Sequence, residues 1–272
     1  MRILAINDIS CVGKCSLTVA LPIISAAGYT CDILPTAILS THTGGFTGYT
    51  FRDLSEDIPS VLNHWKSLGL EYDIIISGYL GSVEQVEMVK EIKGAFLKRG
   101  GTMIVDPVLG DNGKLYAHFD ENFVNEMKGL CRVADVIVPN LTEACFLTDT
   151  PYRPDAEFQS VLEKLNGLCP HASITGCEEG ASSTVYYTDE TGALRRYSTE
   201  KVQGQFHGAG DVYAGAFVGA LANGLRLEDA VRVSADFTKE AIEQTAKDQT
   251  EARYGLNFES KLFGYLKALG KR

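Results

Sequence analysis

Short runs of Val, Ile and Leu alternate along this chain with longer stretches whose apolar residues recur every three to four positions. The first pattern reads as buried strand and the second as amphipathic helix. Strands are predicted over 2–6, 31–39, 73–77, 102–105, 136–138 and 172–175. Helices are predicted over 16–27, 54–68, 83–99, 121–131, 142–147, 155–168, 212–223 and 227–244, with a last one near 260–269. Pro22 should kink the first helix or sit in its opening turn. Gly100-Gly101 should stop the third. The segments 184–187 and 194–197, joined through Asp189-Glu190-Thr191-Gly192, read as a hairpin. Strands alternating with helices predict a mostly parallel sheet covered on both faces. No internal repeat, low-complexity tract or Pro/Gly/Ser linker breaks the pattern, so one domain over 1–272 is expected.

In such a sheet ligands bind beyond the carboxyl ends of the strands. The residues that follow each predicted strand are therefore the ones to inspect. They are Asn7-Asp8, then Thr41-His42-Thr43-Gly44-Gly45, Gly78-Tyr79, Asp106-Pro107 with Gly110-Asp111, Pro139-Asn140 with Glu143, and Thr175-Gly176. Strand ends are ordinarily polar and rich in glycine, so no single loop is telling. The recurrence of acids, amides and hydroxyls at all of them points to one site built from many loops.

Composition narrows what that site can hold. Asp plus Glu is 35 against Lys plus Arg 25, a formal charge of −10. That balance disfavours nucleic acid and anionic membrane surfaces as partners. A small anion stays possible where a helix N-terminus or a metal makes the field locally positive. The seven cysteines are scattered with no CxxC pair, which suggests neither a disulfide framework nor a structural zinc site. MRILAIND runs directly into a strand pattern with no apolar leader core, so a reducing, cytoplasmic home is expected.

Gly208-Ala209-Gly210-Asp211 carries the most chemistry. It precedes VYAGAFVGALANG, a nearly all-apolar segment that should form a buried helix. The N–H groups at a buried helix N-terminus need partners, and glycines let a phosphate approach them. Asp211 reads either as an N-cap or as a general base beside that anion site. Two familiar nucleotide motifs fail. Gly13-Lys14 is followed by Cys15 and lacks the leading glycine of a P-loop, whose place is taken by Asp8. The third glycine of the dinucleotide fingerprint would fall on Tyr213. Asp106, Asp111 and Glu143 are candidates to hold magnesium directly or through water, or else are caps and turn residues. His42 has no metal-binding companion, and His207 reads as a loop-packing residue.

The segment FHGAGDVYAGAF resembles the anion-hole signature of the ribokinase superfamily. ILAIND, SAAGYTCDILPTAILSTHTGGFTG, YDIIISGYLGS, VDPVLGDNGKLY and ADVIVPNLTEACFLT resemble, in the same order, its vitamin B6 branch, the pyridoxal kinases. The resemblance implies an α/β fold, a ribokinase-like three-layer α/β/α sandwich with a small β-hairpin. It implies ATP-dependent phosphorylation of the 5′-hydroxymethyl group of a B6 vitamer by a homodimer. Asp211 would be the base, and Gly208, Ala209 and Gly210 the anion hole. Asp106, Asn140 and Glu143 would lie near the phosphates, and Thr175, Gly176 and Val202 along the nucleotide. Asp111 and Glu143 would be on the side of a magnesium ion, with a potassium-type ion near the nucleotide. Asp8, Thr43 and Tyr79 would face the pyridine ring. The chain departs from the branch at Asp8, where many members carry serine. That carboxylate favours a protonated ring nitrogen or a ring amino group and keeps hydroxymethylpyrimidine open as an alternative acceptor.

Overall fold

The computed structural model describes residues 1–154 and 157–271. The strand patterns assemble into one nine-stranded sheet. Its parallel centre comprises β1 (Arg2–Ser10), β2 (Thr30–Leu39), β4 (Tyr72–Ser77), β5 (Leu97–Val105), β8 (Val136–Ile137) and β9 (His171–Glu179). One edge carries the antiparallel β3 (Phe51–Asp53). The other carries the hairpin β10 (Ser182–Thr188) and β11 (Leu194–Glu200). The spatial order is β11-β10-β9-β8-β5-β4-β1-β2-β3. A separate two-residue ribbon pairs β6 (Gly110–Asp111) with β7 (Lys114–Leu115).

Side chains of a strand alternate between faces, and here the two faces feed two cores. Leu4, Ile6, Ile75, Met103 and Val105 pack against α2 (Ile58–Ser67), α3 (Val83–Phe96), α4 (Glu121–Val133), α5 (Leu141–Leu147) and α6 (Phe158–Asn166). Ile3, Ala5, Ile74, Ile76 and Ile104 pack against α1 (Leu17–Ala26), α7 (Ala209–Ala222), α8 (Leu227–Lys247) and α9 (Leu262–Ala268). Helix α7 is buried on nearly all sides, as its apolar sequence demands.

The differences from the expected elements have local causes. Helix α3 ends at Phe96 instead of running to 99, because Leu97 already pairs with Tyr72. Gly100-Gly101 therefore bends a strand rather than stopping a helix: β5 holds extra residues against β4 between its pairings with Tyr72 and Ile74. Helix α2 begins at Ile58 and not at 54, with Pro59 in its first turn, where a missing N–H costs nothing. Pro22 lies inside α1. The expected start of α6 at Asp155 lies outside the described residues, and the helix is described from Phe158.

Candidate active site

The order of strands reverses beside β1, which pairs with β2 on one side and β4 on the other. Crevices at such points take ligands in open α/β sheets. Here the ends of β1 and β4 are sewn together. Asn7 Oδ1 accepts from the amides of Asp8 (3.0 Å) and Tyr79 (2.8 Å), and the Gly78 amide donates to the Ile6 carbonyl at 2.8 Å. A Cβ on Gly78 would strike the Asn7 side chain, so only glycine allows this closure.

Asp8 is 5% exposed. Its carboxylate accepts from Ser10 Oγ at 3.0 Å and Ser16 Oγ at 2.5 Å. Burial lifts its pKa above the ordinary carboxylate value, while the two serine hydroxyls pull it back. Ser16 is the residue before α1 and holds φ at 55°, a conformation L side chains rarely adopt. Its hydroxyl is spent on Asp8 and does not cap its own helix.

Asp211 lies in the first turn of α7, one residue beyond Gly210. Burial raises its carboxyl to about 7, the Asp8 charge adds to the shift, and the Ser16 amide and Asn7 side chain oppose it. Gly208 starts the helix at φ 79°, and a Cβ there would strike the Lys14 carbonyl oxygen. At Gly210 a Cβ would meet nothing within 4 Å outside its own helix among the described residues, so the space beside this residue at the helix tip is open. The tip thus has bare amides, an attractive dipole and an acid beside it.

A second acidic group stands at the end of β5. Burial and the charges of Glu143 and Asp211 push the Asp106 carboxyl well above its usual range. No hydrogen bond to that carboxylate forms among the described residues. Glu143 is pushed up to about 8 by burial, against the pull of backbone amides. It forms a capping box with Asn140 at the start of α5: Glu143 Oε2 accepts from the Asn140 amide at 2.8 Å, and Asn140 Oδ1 accepts from the Glu143 amide at 2.9 Å. Glu143 Oε1 also accepts from the Leu109 amide at 3.2 Å. Asn140 Nδ2 donates to the Gly110 carbonyl at 2.9 Å, which ties the β6–β7 ribbon to α5. Asp111 is exposed in that ribbon and accepts from the Asn112 amide and Nδ2. Asn112 and Gly113 both hold positive φ, as a two-residue hairpin turn requires.

The structure brings Asp106 within electrostatic reach of Glu143 and Asp211, and Asp211 within reach of Asp8, with Tyr79 beside Asp8. Burial and the neighbouring acid raise the Tyr79 phenol to about 12. Thr175 bridges to Asn140, its amide donating to the Pro139 carbonyl at 2.9 Å. Gly176 holds φ 71° where β9 carries one residue more than β10. Val202 lies between β11 and the glycine loop. Thr43 is exposed, and no side-chain hydrogen bond links it to the acids among the described residues. His42 is buried and fully engaged: Nδ1 accepts from the Gly44 amide (3.0 Å), so Nε2 carries the proton donated to the Arg253 carbonyl (2.6 Å). Its ring lies 5.6 Å from that of His207. Sequence reasoning assigned no role to Ser16 or Tyr116, yet Ser16 touches Asp8 and Tyr116 stands near Glu143, Asp111, Asp211 and Asp106.

For a divalent ion, the fit rests on Asp106, whose carboxylate oxygens no donor occupies among the described residues. No group of three His, Cys, Asp or Glu that could enclose a metal forms among the described residues. That donor set suits magnesium, which takes one or two carboxylates and completes its shell with water and phosphate oxygens. Glu143, with both oxygens on amides, is better placed to steady the site around the ion.

Fold and site together define a ribokinase-like α/β protein, with a glycine-bared helix tip and an acid in its first turn. The chain belongs to the phosphomethylpyrimidine kinase family, whose model matches residues 26–255. It is similar to a Bacteroides thetaiotaomicron protein provisionally named a phosphomethylpyrimidine kinase and crystallised with pyridoxal. The two are 34% identical with a TM-score of 0.92, covering 97% of this chain and 95% of that one. Pyridoxal kinase from Lactobacillus plantarum is 33% identical at a TM-score of 0.91, covering 98% and 96%. A Schizosaccharomyces pombe protein provisionally named a pyridoxal kinase is 29% identical over 195 residues, or 68% of this chain. That match spans only 57% of the yeast protein's length.

Proposed function

We propose that this chain is an ATP-dependent kinase that phosphorylates the 5′-hydroxymethyl group of a vitamin B6 vitamer. The observation that carries the reading is Asp211 in the first turn of α7 behind the open tip at Gly208–Gly210. Pyridoxal bound to the Bacteroides relative supports the vitamer as acceptor.

In this reading the acceptor hydroxyl lies against Asp211, which takes its proton as the oxygen attacks the γ-phosphorus. The bond from phosphorus to the β–γ bridging oxygen breaks, and ADP leaves. The amides of Gly208, Ala209 and Gly210 donate to the migrating phosphoryl oxygens, aided by the helix dipole. Asp106 and Asn140 stand on the phosphate side with Glu143. Thr175, Gly176 and Val202 line the nucleotide, and Thr43, Tyr79 and Asp8 face the ring. Asp106, with Asp111 through water and Glu143 behind it, would hold magnesium, which supplies charge neutralisation on the β- and γ-phosphates when bound. A potassium-type ion beside the nucleotide and a homodimer belong to the same reading. The seven cysteines, all unpaired, suit a reducing cytoplasm.

ADP release with pyridoxal, pyridoxamine, pyridoxine and hydroxymethylpyrimidine tests the reading. Turnover of at least one vitamer is expected, and Asp211→Asn should lower it by about 10²–10⁴-fold while ATP still binds. Turnover of hydroxymethylpyrimidine and of no vitamer would replace the B6 reading with a pyrimidine one.

A further inference from the structure

Ser16 holds a backbone conformation that serine seldom takes. Its φ of 55° and ψ of −130° are those of the first central residue of a type II′ turn, a place dominated by glycine. Such strain persists only where the surroundings over-determine it, and it gathers at functional sites. Starting a helix does not require it. Ser82 and Asp120 begin α3 and α4 from ordinary extended backbone, and the side chain of each accepts from an amide of its own helix. The Ser16 side chain caps nothing in α1.

Other contacts fix Ser16. Its Oγ donates to the Asp8 carboxylate at 2.5 Å. The two residues before it lie against the tip of α7: a Cβ on Gly208 would stand 2.4 Å from the Lys14 carbonyl oxygen and 3.7 Å from Cys15 Sγ. Further along, α1 and α7 approach almost backbone to backbone, and a Cβ on Gly215 would stand 3.3 Å from the Ala20 α-carbon. This seating brings the start of α1 beside the first turn of α7 and turns the Ser16 amide to the Asp211 carboxylate. Ser16 is thus a bracket between two acids, its hydroxyl on Asp8 and its amide on Asp211.

We propose that Ser16 is a positioning residue for the proton transfer: its strained backbone holds its amide on the Asp211 carboxylate and so aims the base at the acceptor hydroxyl. This rests on the kinase reading of the site, with Asp211 as the base. The bond to Asp8 offsets the strain and keeps the turn from relaxing. Burial lifts the Asp211 carboxyl to about 7, and the Ser16 amide is the foremost group pulling it back, ahead of the Asn7 side chain. The titratable groups that face Asp211 are Asp8 at the end of β1, Cys15 before α1, Asp106 at the end of β5 and Tyr116 after the ribbon. Each of them, when ionised, pushes the same way as burial. No ion pair to Asp211 forms among the described residues, although ion pairs are frequent elsewhere. The ionised base therefore leans on the amide that Ser16 supplies.

Alanine and glycine at position 16 separate backbone from side chain. Both remove the hydroxyl bond to Asp8. Glycine takes the turn conformation freely and keeps the amide on Asp211, whereas alanine has nothing to offset the strain and relaxes out of it. The test is the pH profile of kcat for the wild type, Ser16→Ala and Ser16→Gly, with ATP, magnesium and the vitamer turned over best. KM for the vitamer reports on Asp8 in both variants, so the comparison is made in kcat. We expect Ser16→Ala to lose about tenfold in kcat at pH 7 and to move the acidic limb up by about one pH unit. Ser16→Gly should keep kcat within about threefold of the wild type, with the limb in place. An unmoved limb in Ser16→Ala, or a loss in Ser16→Gly as large as that in Ser16→Ala, overturns the proposal. Should Ser16→Ala not fold, Ser16→Gly decides: a retained limb and kcat support the proposal, and a shifted limb or a fall of about tenfold overturns it. Failure of the underlying reading shows in the wild type itself, as no turnover of any vitamer or a profile without an acidic limb.

Discussion

Asp211 faces two opposing demands. A base must be unprotonated to accept the acceptor proton, yet basic enough to want it. A carboxyl raised to about 7 by burial meets both near neutrality. Below that value kcat/KM should climb about tenfold per pH unit and level off above it, as a pH–rate profile would show. A flat profile from pH 5.5 to 8 would detach Asp211 from proton transfer. The same shift has a cost in stability. A carboxyl whose folded pKa lies above its unfolded value binds more protons in the folded state, so its contribution declines as pH rises from about 4 to about 7. Glu143, pushed up to about 8, acts in the same direction. Thermal melts should therefore give a higher Tm at pH 5 than at pH 8, with Asp211→Asn removing part of the slope. At this scale Asp8, Asp106 and Asp211 were legible because acids at strand and helix ends are few and conspicuous. Ser16 was not, because its hydroxyl reaches back to a strand eight residues earlier, and no local pattern encodes that.

Elements explain why certain glycines recur where they do. Gly208 must begin α7 at positive φ with its α-carbon against the Lys14 carbonyl. Gly208→Ala meets both a strained backbone and a backbone clash, and should cost about 1–3 kcal/mol in urea unfolding with an unchanged m-value. Loss of under about 0.5 kcal/mol would show that the loop relaxes freely. Gly100-Gly101 teaches the converse. As a dipeptide it carries the signature of a helix stop, but its place is a bend in β5 beside Tyr72. Punctuation by glycine is legible in sequence; whether it ends a helix or kinks a strand depends on the pairing partner. Strand β3 was illegible for a related reason. Its three residues are all exposed, so no alternation marks them, and only the edge of β2 recruits them.

On the scale of the whole molecule, the two cores do different work. One packs α2 to α6 and holds the ends of β4, β5 and β8; the other carries α1 and α7. Ser16, Lys14 and Asp211 all lie on this second side, so the candidate site depends on how α7 seats against the sheet. Phe217 is 1% exposed in that core and stacks near Tyr213. Phe217→Ala should lose on the order of 3–5 kcal/mol in guanidinium unfolding. A loss below about 1 kcal/mol would mean that the helix collapses into the space and is not held by that ring.

Periodicity along the chain was enough to determine an alternating α/β protein with a mostly parallel sheet, and strand ends were enough to name its candidate acids. These are local properties: the repeat of a helix or strand is written in consecutive side chains, and polarity at a strand end follows from where burial stops. Tertiary structure alone decided that Glu143, Asp106, Asp211 and Asp8 follow one another as neighbouring acids, that Ser16 serves Asp8, and that among the described residues no lysine or arginine forms an ion pair with them. Those relations join residues from eight to some two hundred positions apart, and only the packing of α1, α5 and α7 against the sheet sets the distances on which electrostatics depends.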